Sequence, residues 1–316
     1  MTDSEPTLAQ VGEFTVIDRL VAGRAQPPAV ELGPGDDAAV VLTGDGRTVV
    51  STDMLVQDRH FRLDWSDPFD IGRKAIAQNA ADAEAMGATP TAFVVAFGAP
   101  AHTSADAAVR LSDGMWSEAA KFGAGIAGGD LVSAPLWVVS VTVLGDLGGR
   151  EPVRRDTAQP GDIVAVAGEL GRSAAGYVLW LKDISGPEVL RRRHLVPEPP
   201  YGQGAEAARA GASSMTDVSD GLVADLGHIA VASGVRIDLS SPALRADHDA
   251  LAPVAAATGD DAWDWVLGGG EDHALVATFA GSPPPGWRTI GRVLDGPAGV
   301  KLDGEPWHGS AGWQSF

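Results

Sequence analysis

The sequence predicts two domains, each of α+β or mixed-sheet α/β type, and three observations carry that prediction. The chain has 316 residues, and at about 150 residues per domain that length favours two domains over one. Its composition is 45% hydrophobic, which supplies material for sizeable cores and excludes global disorder. Apolar runs with the periods of strands and of helices intermix along the chain without strict alternation. The 40 glycines, against a usual share of about 7%, have no collagen-like period and point to tight turns and close backbone approaches.

Taken in order, Leu8, Val11, Phe14, Ile17 and Leu20 recur every three residues and predict an amphipathic opening helix. The glycine-rich turn Gly33–Asp37 leads into two strand-like runs, Ala38–Leu42 and Thr48–Val56, joined by the turn Thr43–Arg47. Asp67-Pro68 is a helix start, and Gly87 a suitable stop. A strand over Thr91–Phe97, a helix over Ser104–Phe122 and strands at Gly125–Ala127 and Leu136–Leu144 follow. The charged, Gly/Pro-containing stretch Gly145–Gly161 breaks the pattern, so the division falls between residues 1–145 and 146–316. The second half opens on a buried strand, Ile163–Ala167, a helix over Ser173–Leu181 and a proline-rich loop, Pro197–Gly204. A short helix, a strand near Ser213–Thr216 and a helix over Gly221–Ser233 come next, then strands at Val235–Leu239, His273–Phe279 and Arg288–Leu294.

Charge narrows the function. Lys and Arg number 23 against 42 Asp and Glu, a formal net charge of −19. Such a surface repels nucleic acid and anionic membranes, and a phosphate ligand would need a cation that the side chains do not supply. The absence of cysteine excludes disulfides, thiolate metal sites and thiol nucleophiles. The opening MTDSEPTLAQ lacks a basic-then-apolar signal pattern and no apolar run approaches a membrane span, so the expectation is a soluble, cytoplasmic protein.

Acidic residues repeatedly stand beside Gly, Ser or Thr: Asp36-Asp37, Ser51-Thr52-Asp53, Asn79 with Asp82, Gly128-Gly129-Asp130, Asp217 with Ser219-Asp220, and Gly269-Gly270-Glu271-Asp272. Carboxylate and hydroxyl oxygens are what Mg²⁺ takes, and several Mg²⁺ ions could in turn hold a polyphosphate. Each piece alone has a plainer explanation: a turn at Asp36-Asp37, a solvated helix face at Asp82, a helix N-cap at Asp220, a surface histidine at His60, a core indole at Trp313. The P-loop, the dinucleotide fingerprint, the nucleophile elbow and the protein-kinase motifs are all missing.

In order and spacing these pieces resemble the thiamine-monophosphate kinase family of the aminoimidazole-ribonucleotide-synthetase-like ATP-binding superfamily. The matching segments are GEF (Gly12–Phe14), GDDAAV (Gly35–Val40), STDMLV…HF (Ser51–Phe61) and KAIAQNAADAEAMGATP (Lys74–Pro90). They continue with GGD (Gly128–Asp130), VTVLG (Val141–Gly145), RH…P (Arg193-His194…Pro197), DVSDGLVADLGHIA (Asp217–Ala230), GGED (Gly269–Asp272) and GW (Gly312-Trp313). The resemblance implies transfer of the γ-phosphoryl group of ATP onto thiamine monophosphate, with Mg²⁺, in a homodimer whose N-terminal sheets join. Residues 1–145 would be the ATP/Mg²⁺-binding and dimerising domain, with ATP held in the cleft next to the C-terminal domain. Carried over residue by residue, it makes Asp37, Ser51, Thr52, Asp53, Asp82, Asp130, Asp217 and Asp220 ligands of Mg²⁺. Gly129, Asp130, Arg154 and Ser219 would contact ATP, and His60, Glu271 and Trp313 the thiamine phosphate. No residue stands in a recognisable nucleophile–base pair, so no covalent or general-base role is assigned.

The chain departs from the family pattern at Ala81, where Ser is usual, at Glu84 for Ala, at His273 for Tyr and at Pro200 for Arg. Two alternatives remain open at this stage: another ATP-dependent synthetase of the superfamily, acting in purine biosynthesis, and a catalytically silent Mg²⁺/nucleotide-binding module.

Overall fold

The computed structural model describes residues 6–34, 39–309 and 312. The chain forms two compact units, one of residues 1–83 and 90–149, the other of residues 84–89 and 150–316. The changeover thus follows Gly149, and a short stretch from the end of a first-unit helix counts with the second unit.

The first unit opens with α1 (Leu8–Val11) and α2 (Glu13–Val21). This corrects the single opening helix: Gly12, at φ 84°, stands between the two in a conformation that side chains with a Cβ disfavour. Thr7 caps α1, its hydroxyl accepting the Gln10 N–H while Gln10 Oε1 accepts the Thr7 N–H at 2.8 Å. β1 (Val30–Leu32) and β2 (Val40–Val41) pair antiparallel as a separate ribbon. Then come β3 (Val49–Val56), α3 (Pro68–Ala85), β4 (Thr89–Ala99), α4 (Ala105–Ala119, capped by the Ser104 hydroxyl), β5 (Gly125–Ser133) and β6 (Val138–Asp146). Their sheet has the order β3-β6-β4-β5, antiparallel between β3 and β6 and parallel between β4 and β5. The register pairs Ser51 with Val143, Asp53 with Val141 and Leu55 with Val139, so the buried valines of β6 share a face with these β3 residues.

The second unit contains β7 (Ile163–Ala167), α5 (Arg172–Leu181), α6 (Glu188–Leu195), α7 (Gln203–Arg209), β8 (Ala212–Asp217), α8 (Leu222–Ser233) and β9 (Arg236–Leu239). It closes with α9 (Ser241–Thr258), α10 (Ala262–Gly268), β10 (Leu275–Phe279), β11 (Arg288–Leu294), β12 (Gly299–Leu302) and β13 (Glu305–Pro306). The seven-stranded sheet has the order β13-β12-β9-β11-β7-β10-β8 and is mixed, with β12 parallel to β9. Strand β7 is buried on both faces. Val164 and Val166 join one core cluster with Leu179, Leu226, Leu251 and Trp265; Ala165 and Ala167 join another with Ala207, Met215, Phe279 and Trp287. That two-sided burial is why β7 reads as a continuous apolar run rather than an alternating one.

Candidate active site

In the first unit the site is assembled by the alternation of β3 against one face of α3. Ser51 and Asp53 point toward the helix. The Ser51 hydroxyl donates to Asp82 Oδ2 at 2.7 Å, and the Asp53 backbone N–H donates to Asn79 Oδ1 at 3.0 Å. Asn79 Nδ2 donates to the Ala75 carbonyl at 2.9 Å, which fixes the amide the right way round. Gln78 Nε2 reaches Asp53 Oδ2 at 3.3 Å. Asn79 and Asp82, three apart on the helix, therefore both face β3, and a plain solvated helix face does not describe them.

Thr52 takes the other side of the strand. Its hydroxyl donates to the Val141 carbonyl at 2.9 Å and accepts from Thr142 at 3.1 Å. Asp130 is exposed on β5, at the far edge of the sheet from β3, about 14 Å along it at ~4.8 Å per strand. Its Oδ1 accepts the Leu131 N–H at 2.9 Å. The preceding Gly129 is required by the sheet itself, since a Cβ there would lie 2.0 Å from the Val95 carbonyl oxygen. His60 sits in the turn after β3. Its Nδ1 accepts the Val56 N–H at 2.9 Å, and the buried Lys74 ammonium donates to its carbonyl at 2.8 Å, so the loop is pinned to α3. Asp37 and Trp313 lie outside the described residues.

In the second unit the candidates sit on two loops joined backbone to backbone. The Glu271 N–H donates to the Ser219 carbonyl at 2.8 Å, the His273 N–H to Val218 at 2.9 Å, and the Val218 N–H to Ala274 at 2.7 Å. Gly270 allows this approach: a Cβ there would lie 2.7 Å from the Ser219 oxygen. Glu271 and His273 hold positive φ, 62° and 52°. Strain of this kind persists only where the surroundings over-determine it, and it gathers at functional sites.

The loops concentrate carboxylates. Asp217, at the end of β8, is buried and hydrogen-bonded through Oδ2 to His273 Nδ1 at 3.0 Å. Asp220 does not cap α8. Instead Asp225, one turn into the helix, accepts the N–H groups of Asp220 and Gly221 at 3.1 and 3.0 Å. Burial pushes Asp225 up to about 7, and the neighbouring Asp217 charge adds to it. Burial also raises Asp220, against the opposing pull of His228. Oxygen and nitrogen atoms of Asp220, Asp225 and His228 lie within 4.8 Å of one another.

Asp272 has another task. Its two oxygens accept the N–H groups of Gly171 at 2.5 Å and Ser173 at 2.8 Å, capping α5 from inside the core. Burial raises it to about 7, against those bonds. Glu271 Oε2 lies 3.4 Å from His194 Nδ1, which also meets the Ser173 hydroxyl at 3.2 Å. Arg154 is exposed and paired with Asp156.

The structure thus brings Ser51 to Asp82 and Asp53 to Asn79 and Gln78 in one unit, and Asp217, Ser219, Asp220 and Glu271 onto the joined loops of the other. Asn79 holds Asp53 by its backbone, and Asp225 and His273 support the second cluster. Asp225 and His228 carry a signal that was available, three apart on the helix that begins just after Asp220. Glu84 also finds its reason. It is buried, and its oxygens accept the N–H groups of Gly202 and Gly204, both at 2.8 Å, at the start of α7.

Comparison with known proteins adds a second line of argument. Residues 35–147 match the family model of the AIR synthase related protein N-terminal domain, and residues 159–300 that of its C-terminal domain. The chain is 70% identical to the thiamine-monophosphate kinase of Mycobacterium tuberculosis over 316 residues, 100% of this chain and 95% of the relative. The crystal structure of thiamine-monophosphate kinase from Stenotrophomonas maltophilia superimposes with a TM-score of 0.79 at 32% identity, covering 92% of this chain and 95% of that one. AaThiL complexed with AMPPCP and TMP gives a TM-score of 0.77 at 29% identity, covering 99% and 100%. The order of loops and carboxylates and the full-length match agree: this chain belongs to the thiamine-monophosphate kinase family of the AIR synthase related proteins.

Proposed function

We propose that this chain transfers the γ-phosphoryl group of ATP directly onto the phosphate of thiamine monophosphate, giving thiamine diphosphate and ADP. The observation that carries the reading is the 70% identity, over the whole chain, to a thiamine-monophosphate kinase. The complex of AaThiL with an ATP analogue and TMP supports the same pair of substrates.

The acceptor is already an anion at neutral pH, so its oxygen attacks the γ-phosphorus without a general base while the bond from that phosphorus to the β-bridging oxygen breaks. What the protein must supply is alignment and charge neutralisation. The donors fit Mg²⁺: they are carboxylates and hydroxyls, with no thiolate in the chain, and the charge of Asp217 adds to the burial that raises both Asp220 and Asp225. Ser51, Asp53, Asp82, Asp130, Asp217 and Asp220 are the side chains we assign to it, with Thr52 and, by the resemblance, Asp37. Mg²⁺ held there would neutralise the polyphosphate and the charge that develops during transfer. Gly129, Arg154 and Ser219 are assigned to ATP, and His60, Glu271 and Trp313 to the thiamine phosphate. An indole suits a cationic thiazolium, and a carboxylate the amino group of the pyrimidine.

Incubation with ATP and thiamine monophosphate should release ADP and yield thiamine diphosphate, with inversion at a chiral γ-phosphate. Turnover of a purine precursor in its place, or retention of configuration, would overturn the reading.

We further assign a homodimer to the face of the first unit's sheet on which Val50, Met54 and Val132 are 57%, 50% and 53% exposed, beside the part that the β1–β2 ribbon covers. An apolar sheet face of this kind fits a second copy of itself. Light scattering should find a dimer at micromolar concentration and a monomer for Met54→Lys; a monomeric unmodified chain sinks the assignment. Among the described residues no helix is long and apolar enough to cross a membrane.

A further inference from the structure

We infer that His273 is a positioning residue for Asp217: its ring Nδ1–H holds one oxygen of that carboxylate, so that the other is presented to a divalent cation. The inference rests on the proposed role of Asp217 as a metal ligand, and nothing in the family pattern supplies it, because histidine is a departure at this position.

Three features carry it. The Nδ1–Oδ2 distance is 3.0 Å, and the two residues are only 5% and 2% exposed, so the contact is not a passing surface encounter. His273 holds φ 52°, a conformation in which histidine is tolerated but not favoured, and its backbone is fixed by the hydrogen bond to Val218. That fixed backbone aims the ring at Asp217 although 56 residues separate the two. Asp217 also closes β8 in register with Leu275, so its own backbone cannot swing to compensate for a lost partner. A carboxylate that binds a metal through one oxygen commonly has the other held by a neighbouring donor, and loss of such a donor typically weakens metal affinity about 10–100-fold.

The geometry suggests a sharp pair of substitutions. The Nδ2 of asparagine stands at nearly the same distance from the backbone as histidine Nδ1, and asparagine accepts positive φ well. His273→Asn should therefore keep the donor. His273→Gly removes the donor and relieves the backbone strain, and His273→Leu removes it while filling the volume if the glycine variant does not fold.

The readout is Mn²⁺ titrated into the full chain in the presence of a non-hydrolysable ATP analogue, followed by electron paramagnetic resonance, with the melting temperature of the metal-free protein measured alongside. We expect His273→Gly or His273→Leu to weaken Mn²⁺ binding about 10–100-fold, and His273→Asn to restore it to within a few-fold of the unmodified chain. A merely structural role would lower the melting temperature and leave the affinity of the folded fraction unchanged, which overturns the inference. Asp217→Asn separates the two readings. If it binds Mn²⁺ as tightly as the unmodified chain, Asp217 is not a ligand and both fall. If it weakens binding while the donor-free His273 variants do not, only the positioning role falls.

Discussion

The two acidic clusters are built by opposite means. In the first unit, Ser51 on β3 meets Asp82 on α3 and Asp53 meets Asn79 and Gln78 of the same helix, placed by ordinary alternation and helical spacing. In the second, Asp217, Ser219, Asp220 and Glu271 stand on or beside loops sewn together by backbone hydrogen bonds, with Glu271 and His273 at positive φ and with burial raising Asp220 and Asp225. A site on regular elements should separate chemistry from stability, because its carboxylates can change without disturbing the frame. A site on joined loops should couple the two, because its carboxylates are part of what holds the loops.

The largest expected effect tests that separation. Asp53→Asn and Asp217→Asn should each lower kcat on the order of 10²–10³-fold, as loss of one charge-stabilising group does. Asp53→Asn should leave urea unfolding of the metal-free protein unchanged, whereas Asp217→Asn, which alters a buried hydrogen bond to His273, should shift it. Equal shifts for both would break the contrast; undiminished turnover of Asp53→Asn would remove Asp53 from the machinery.

Close backbone approach offers the next test. A Cβ at Gly129 would lie 2.0 Å from the Val95 carbonyl between the edge strand β5 and its neighbour β4, while one at Gly270 would lie 2.7 Å from the Ser219 carbonyl in a loop. Gly129→Ala must prise two strands apart and should cost about 3 kcal/mol. Gly270→Ala has a loop to move and should cost about 1 kcal/mol, with its larger effect on turnover. Chemical denaturation gives the ranking, and a reversed order would mean that the second cluster is the stiffer one.

How these differences show in the sequence follows from their range. The elements under the first cluster follow local signals, a strand over Thr48–Val56, a helix start at Asp67-Pro68 and Asn79 and Asp82 three apart, whereas the grouping of its side chains rests on the resemblance, since each piece alone reads as a turn or a solvated face. Strand β7 is legible with its observed ends because its apolar run is unbroken. Helix α9 is not legible in the sequence, since its alanine-rich pattern has a weak apolar stripe and an internal Pro253, a residue that ordinarily argues against helix. The role of Asp225 and the pairing of Asp217 with His273 were also hidden. The first looks like any acidic residue in a first helical turn, and the second joins residues 56 apart through a sheet register that no local pattern encodes.

Proton linkage sharpens the coupling in the second unit. Burial raises Asp272 to about 7 from an ordinary value near 3.8, outweighing the N–H groups of Ser173 and Gly171. Below about pH 4 both folded and unfolded chains hold that proton and the stability it carries is fully present. As pH rises toward 7 the unfolded chain releases the proton first, so stability is lost, and above 7 the loss is complete. The stability of the unmodified protein relative to Asp272→Asn should therefore fall between pH 5 and 7, on the order of 2 kcal/mol. Urea midpoints at a series of pH values give the difference, and a difference that rises with pH would show that the α5 cap, not burial, governs Asp272.

The last expected effect, confined to stability, concerns Glu84, where the sequence departs from its family. Its carboxylate is 1% exposed and accepts the N–H groups of Gly202 and Gly204, both at 2.8 Å, where α7 begins. Helix α7 runs only from Gln203 to Arg209 and has no side-chain cap of its own on Gly202, so Glu84 supplies from α3 what the local sequence lacks. Burial raises the Glu84 carboxyl, and the two N–H groups act against that rise, so the bonds offset part of the cost of sequestering it. Removing the side chain frees two donors at a helix N-terminus and should lower stability by about 1–2 kcal/mol for Glu84→Ala. Glu84→Gln, which keeps one acceptor, should lose about half as much. Neither substitution touches Asp82, whose contact is with Ser51, so turnover at saturating substrate should hold. An unchanged urea midpoint for Glu84→Ala would mean that α7 is fixed by its packing through Ala205, Ala207 and Ala208 and that the carboxylate is a passenger.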